Sequence, residues 1–317
     1  MRPLSQGRRG RSTEASEPAL PEPDSSQESR QLARLGTRTF QLGEGPTWDA
    51  RRERALWVDI DGRSAWAWRF GDDSDEKEPT LVYSSDREVC AALPADDGGM
   101  LIVEADRLVQ LGPSGAVVDS RRCALPANRR FNDATIDPQG RLVVGTLTRD
   151  GETWGGELFR LEPDGRLRLL RSDISLSNGI AFSPDGTLMY HVDTFRCRID
   201  VLDATGDIPH LVDSWIVDGG FPDGLAVDSD GFVWVALWGG AAVLRLTAGG
   251  EAVGRVDTPA AHTTSVAFVG SALGELLITT ARAGRDTPSN RDGGVYISSA
   301  PAGGVPVPNW RVVPLKG

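Results

Sequence analysis

The stretch Phe221-Pro222-Asp223-Gly224-Leu225-Ala226-Val227-Asp228-Ser229-Asp230-Gly231-Phe232-Val233-Trp234-Val235-Ala236 decides the fold. It holds a lone polar residue, Asp223, then a short apolar strand, a tight turn opening at Asp228, and a second strand. Asp223 stands five positions ahead of Asp228, and that offset recurs in Asn178 ahead of Ser183, Asn132 ahead of Asp137 and Glu44 ahead of Asp49. Two plainer copies, Cys90 ahead of Ala95 and Ser265 ahead of Gly270, fit the same frame. The six anchors are separated by 46, 42, 46, 45 and 42 residues. A period in the forties with this texture predicts an all-β chain, a six-bladed β-propeller. Five strand residues span about 16 Å, so anchor and turn lie at opposite ends of one strand, and all six anchors gather at one end of a common axis.

The rest of the chain agrees. Ala55 to Ile60, Ser64 to Phe70, Met100 to Glu104, Leu142 to Leu147 and Leu188 to Asp193 read as further short strands, and no amphipathic helix of twelve residues interrupts them. The 37 glycines and 20 prolines fall largely at strand ends. Residues 1–37, rich in Arg, Ser, Glu, Gln and Pro, bury too little apolar surface to fold and are expected to form a disordered tail, with at most a short helix over Gln27 to Leu35. The propeller then occupies 38–317. Gly71 to Pro79 reads as an acidic surface loop lacking the ligand spacing of a calcium-binding loop. Closure of the ring is left open, with Phe40 or Tyr83 as candidate partners for Trp310 to Val313.

Composition narrows the partners. With 34 basic and 45 acidic residues the net charge is −11, which argues against nucleic acid and anionic lipid. No run of 18 apolar residues exists, and the pair Arg8-Arg9 has no apolar segment behind it, so neither a membrane span nor a secretory signal is read. Three cysteines at unrelated spacings look like reduced thiols. A cytoplasmic protein, monomeric or weakly self-associating, is expected.

Four anchors end in a carboxylate or an amide: Glu44, Asn132, Asn178 and Asp223. Singly each has an ordinary explanation, since Asn178-Gly179, Asp223-Gly224 and Asn132-Asp133 are common turn dipeptides. Together they differ in kind while the turn chemistry is already spent five residues later. Carboxylates and amides are hard donors suited to calcium, magnesium or manganese. Arg130, two residues before Asn132, leans to the same side and is placed to bind substrate oxygens. Other chemistries find no support: His191, His210 and His262 lack metal-ligand spacing, no nucleophile elbow or dinucleotide fingerprint occurs, and His191 reads as a packed strand residue. Trp57, Trp66, Trp68 and Trp234 read as core, with Trp154 a candidate for the pocket mouth.

The segments Leu42-Gly43-Glu44-Gly45-Pro46, Arg130-Phe131-Asn132-Asp133, Ser177-Asn178-Gly179-Ile180-Ala181-Phe182-Ser183-Pro184-Asp185-Gly186, Pro222-Asp223-Gly224-Leu225 and Trp234-Val235-Ala236-Leu237-Trp238-Gly239-Gly240 resemble the motifs of the senescence marker protein/gluconolactonase/regucalcin family. The resemblance runs over about residues 38–300. It implies a six-bladed propeller hydrolysing sugar lactones with one divalent cation (calcium, manganese, magnesium or zinc). It implies Glu44, Asn178 and Asp223 as metal ligands, Asp223 also in proton transfer, and Arg130 and Asn132 as substrate-binding residues. A further substrate-binding carboxylate is assigned to Glu152. The family's usual glycine after the aspartate is replaced here by Ala134. Other readings are a phosphotriesterase or another metal-dependent esterase, and a calcium-binding propeller without activity.

Overall fold

A computed structural model of the chain describes residues 32–70, 78–150 and 155–315. Six four-stranded antiparallel sheets follow one another along the chain, and their innermost strands neighbour each other in a closed circuit, so the all-β six-bladed propeller stands. The innermost strands are Gly43–Asp49, Val89–Pro94, Arg129–Ile136, Ser177–Phe182, Phe221–Val227 and Thr263–Val269, in blades 1 to 6. Each contains one anchor. Alternating apolar residues of neighbouring blades fill the spaces between sheets, with Trp57 and Trp234 fully buried there. Among the described residues no helix is long and apolar enough to cross a membrane.

The turn residues five positions on explain themselves through hydrogen bonds. Asp228 Oδ1 accepts from the amides of Asp230 and Phe232, while its Oδ2 accepts from Trp234 Nε1 and from the Arg245 guanidinium. Asp137 accepts likewise from Gln139, Arg141 and the Arg141 side chain. A short acceptor here satisfies the turn's amides and clamps the second strand to the first.

Closure differs from both pairings considered above. Ala33–Arg34 forms the outermost strand of blade 6, antiparallel to Tyr296–Ser299, with Ala33 opposite Ile297. Residues 32–37 therefore belong to the propeller rather than to a tail, and Leu35 is in strand-edge contact rather than helix, donating its amide to Val295 O. Joining the N-terminal strand to the last blade removes an open sheet edge. Residues 1–31, where the rest of the expected tail falls, residues 71–77 of the acidic loop, and Glu152 and Trp154 lie outside the described residues. The C-terminal segment crosses the turn end of the channel instead of closing a blade. Val305 N donates to Val227 O in blade 5, Trp310 N to Pro94 O in blade 2, and Arg311 N to Gly140 O in blade 3. Between this strap and the anchors lies a chamber of about 460 Å³, lined by residues such as Asp133, Ile180, Leu225, Ser265 and Pro306.

Candidate metal and substrate site

Every anchor coincides with an irregularity of its strand. The register slips by one residue between Glu44 and Thr47, Val89 and Ala91, Phe131 and Ala134, Ser177 and Ile180, Pro222 and Leu225, and Thr263 and Ser265. A bulge re-aims the side chains within it, and six repeats of the same bulge re-aim them around one axis. The glycines beside two anchors follow from the crowding this produces. A Cβ on Gly179 would lie 2.6 Å from Leu225 N and 2.7 Å from Asp223 O, and one on Gly224 would lie 2.8 Å from Ser265 Cα. These glycines let innermost strands approach one another, which the turn-dipeptide reading does not account for.

Two of the anchors are wired together directly. Asn132 Nδ2 donates to Asn178 Oδ1 at 2.6 Å and to Ser177 O at 2.9 Å. Arg130 donates to Asn132 Oδ1 and to Phe131 O, both at 2.8 Å, so the lean inferred from its two-residue offset is realised. Asn178 Nδ2 donates to Thr194 Oγ1, whose hydroxyl donates in turn to Pro222 O, each at 2.9 Å. One chain of hydrogen bonds thus runs from Arg130 in blade 3 through blade 4 to the residue preceding Asp223 in blade 5. Cys90 takes no part as a ligand. Its thiol donates to Phe131 O, and burial pushes its pKa up to about 11.

The carboxylates are the anomalous members. Glu44 and Asp223 are buried, and both have pKa values pushed well above the usual carboxylate range. Burial is the leading cause for each; Asp223 and then Asp133 add to it for Glu44, and Asp133 adds to it for Asp223. Asp133 is itself pushed up to about 6 by burial. Sequence reading took Asn132-Asp133 for a turn pair and missed Asp133 as a third negative group; the one-residue bulge, invisible without a register, puts it there. Asp223 Oδ1 is buried with no hydrogen-bond partner among the described residues. An orphaned carboxylate oxygen beside other buried carboxylates is costly unless something positive accompanies it.

That is the test of a cation at this place, and the residues pass it. Glu44 and Asp223 supply charged oxygens, and Asn178 Oδ1 retains a second lone pair beyond the one Asn132 uses. Among the described residues no cluster of three or more His, Cys, Asp or Glu side chains is gathered closely enough to hold a metal alone. A cation here would take the amide oxygen beside the two carboxylates. His191 is not part of the set. Fully buried in blade 4, it sits 2.8 Å from Ser177 Oγ, and burial, then Arg171, lowers its pKa to about 4, so it is neutral.

Comparison with known proteins identifies the family. The SMP-30/Gluconolactonase/LRE-like region matches residues 42–282. A pentonolactonase of Haloferax volcanii is 34% identical over 262 residues, covering 79% of this chain and 85% of its own. A 6-deoxy-6-sulfogluconolactonase of Pseudomonas putida is 33% identical over 259 residues, covering 79% and 87%. The crystal structure of a calcium-binding protein, regucalcin, from Agrobacterium tumefaciens superposes with a TM-score of 0.80 at 28% identity, over 89% of this chain and 98% of that one. The chain belongs to the SMP-30/gluconolactonase/LRE-like family.

Proposed function

We propose that the chain hydrolyses a sugar lactone to its aldonic acid at the anchor end of the channel, with one divalent cation held by Glu44, Asn178 and Asp223. The observation that supports this most is the partnerless Asp223 Oδ1 among buried carboxylates, in a chain whose relatives include named lactonases. A cation bound there would supply Lewis-acid polarisation of the lactone carbonyl.

The remaining steps fall to side chains. Arg130, fixed by two hydrogen bonds from a single guanidinium nitrogen, Nη1, keeps its other donors for the ring oxygens of the substrate. The amide of Asn132 already serves Arg130, Asn178 and Ser177, so its contribution to substrate binding is chiefly to hold Arg130 and Asn178 in place. Asp223 accepts the proton of the attacking water on the carboxylate oxygen that the cation leaves free. The water oxygen bonds to the carbonyl carbon, the ring C–O bond breaks, and the ring oxygen leaves as a hydroxyl with the proton returned by Asp223. Glu152, the further carboxylate implied by the resemblance, keeps its proposed place at the substrate.

A pH-indicator screen of aldonolactones, an aryl ester and an organophosphate, run on protein stripped of metal and then resupplied, tests the reading. Hydrolysis of a lactone that returns with the cation is expected; turnover of the organophosphate alone would replace the lactonase reading by a phosphotriesterase one.

A further inference from the structure

Below the anchors the channel is not packed shut. The innermost strands of blades 3 to 6 contribute Thr135, Ala181, Ala226 and Ala267 to the wall of the chamber of about 460 Å³ under the strap. Leucine or isoleucine at these four places would fill it, as such side chains fill the spaces between the blades. Much of the remaining wall is apolar, with Pro46, Ile180 and Leu225. Apolar space left open inside a packed core costs stability, and the volume lies in the range of small-molecule sites.

The charges on this wall are of one sign. Asp133 lies at the anchor end and Asp185 at the strap end, with no lysine, arginine or histidine among the lining residues. Asp185 is already served by Ser183 Oγ at 2.6 Å and by the amide and hydroxyl of Thr187. Asp133 has less. Its Oδ1 takes the Ala134 amide at 2.7 Å, and no basic side chain pairs with it among the described residues. A divalent cation at the anchors offsets two of the three charges on Glu44, Asp223 and Asp133, and the one left over faces the chamber. One carboxylate among apolar side chains is too few donors for a further metal ion. An apolar molecule ending in an ammonium group suits both wall and charge, whereas a carboxylate there would be repelled.

Entry is past the strap. Gly304 N donates to Leu273 O, Val305 N to Val227 O and Trp310 N to Pro94 O. Residues 306–309, among them Pro306 and Pro308, make no backbone hydrogen bond to a blade among the described residues. The span over the chamber is thus held at its ends. We infer that the chamber is a second ligand site, taking an apolar primary amine with its ammonium group on Asp133 and its body against the alanine-lined wall. The inference stands apart from the lactonase reading, since the amine enters from the end of the channel opposite the substrate.

The test is calorimetric titration of the full chain, in the presence of calcium, with tryptamine, tryptophol and indole-3-propionate. The three share an indole body and differ in the end group. Tryptamine is expected to bind at one site per chain, about tenfold or more tighter than tryptophol, with indole-3-propionate the weakest. Asp133→Asn should bring tryptamine and tryptophol within about twofold of each other. Ala267→Phe, which fills the chamber, should weaken tryptamine by about tenfold or more while leaving lactone hydrolysis and the calcium titration unchanged. If Ala267→Phe does not fold by circular dichroism, Ala181→Phe takes its place on a different blade. Tryptamine bound no tighter than tryptophol, no heat of tryptamine binding, or full tryptamine affinity in the filled variant overturns the site.

Discussion

Asp223 stands out in the sequence because it breaks an apolar strand at a position the turn chemistry does not need. Its orphaned Oδ1 and its neighbour Asp133 were not legible, because both depend on which way a bulged strand faces. Two outcomes follow at this scale. Asp223→Asn keeps the shape and loses the proton acceptor, so kcat should fall by about 10²–10⁴-fold, measured with saturating cation. Asp133→Asn keeps the acceptor that takes the Ala134 amide at 2.7 Å but deletes a charge that raises both Glu44 and Asp223. The cation-free variant should therefore be more stable than cation-free wild type at pH 7, by about 1 kcal/mol, while binding the cation more weakly in calorimetry. The sign with pH is set by the same groups. Their carboxyls are raised in the folded state, so ionising them costs stability as pH climbs from about 4 through 6, the value reached by Asp133. Cation should accordingly raise Tm more at pH 7.5 than at pH 5.

At the scale of the element, the informative unit is the bulged inner strand with its buried turn acceptor. Period and anchors could be read from sequence because each blade repeats them, whereas the slip in register leaves no mark beyond a glycine that also suits a turn. Gly179 separates the two readings. At a turn, alanine would cost little; here its Cβ would press on the backbone of blade 5 at 2.6–2.7 Å. Gly179→Ala should cost about 1–3 kcal/mol in urea denaturation and lower cation affinity, because the strand displaced is the one carrying Asp223. Asp228→Ala tests the other end of the same strand. It removes the main partner of the Arg245 guanidinium, which lies 2.7 Å from Asp228 and over the Phe232 ring at 3.7 Å, and leaves it only the exposed Asp230 at 3.9 Å. A loss of about 3–5 kcal/mol is expected, with kcat/KM of the surviving folded protein little changed.

For the whole molecule, six blades force side chains more than forty residues apart in sequence onto one axis, and the sequence period made that arrangement predictable. The closure was not predictable. Ala33–Arg34 is two residues long, too short for any periodicity, and sits in a polar segment whose composition suggests a tail. Removing residues 1–35 should leave Tyr296–Ser299 as an open edge and lower Tm by about 5 °C or more, read by scanning calorimetry. The central claim is the convergence of Glu44, Asn178 and Asp223 on one ion, and calorimetric titration of chelator-stripped protein with calcium and with manganese, lactone hydrolysis followed in parallel, tests it most directly. The account predicts one site per chain, activity that rises with its occupancy, and weaker cation binding with lower activity in Glu44→Gln and Asp223→Asn. Full lactone hydrolysis by the stripped protein, or undiminished cation binding in those two variants, would contradict it.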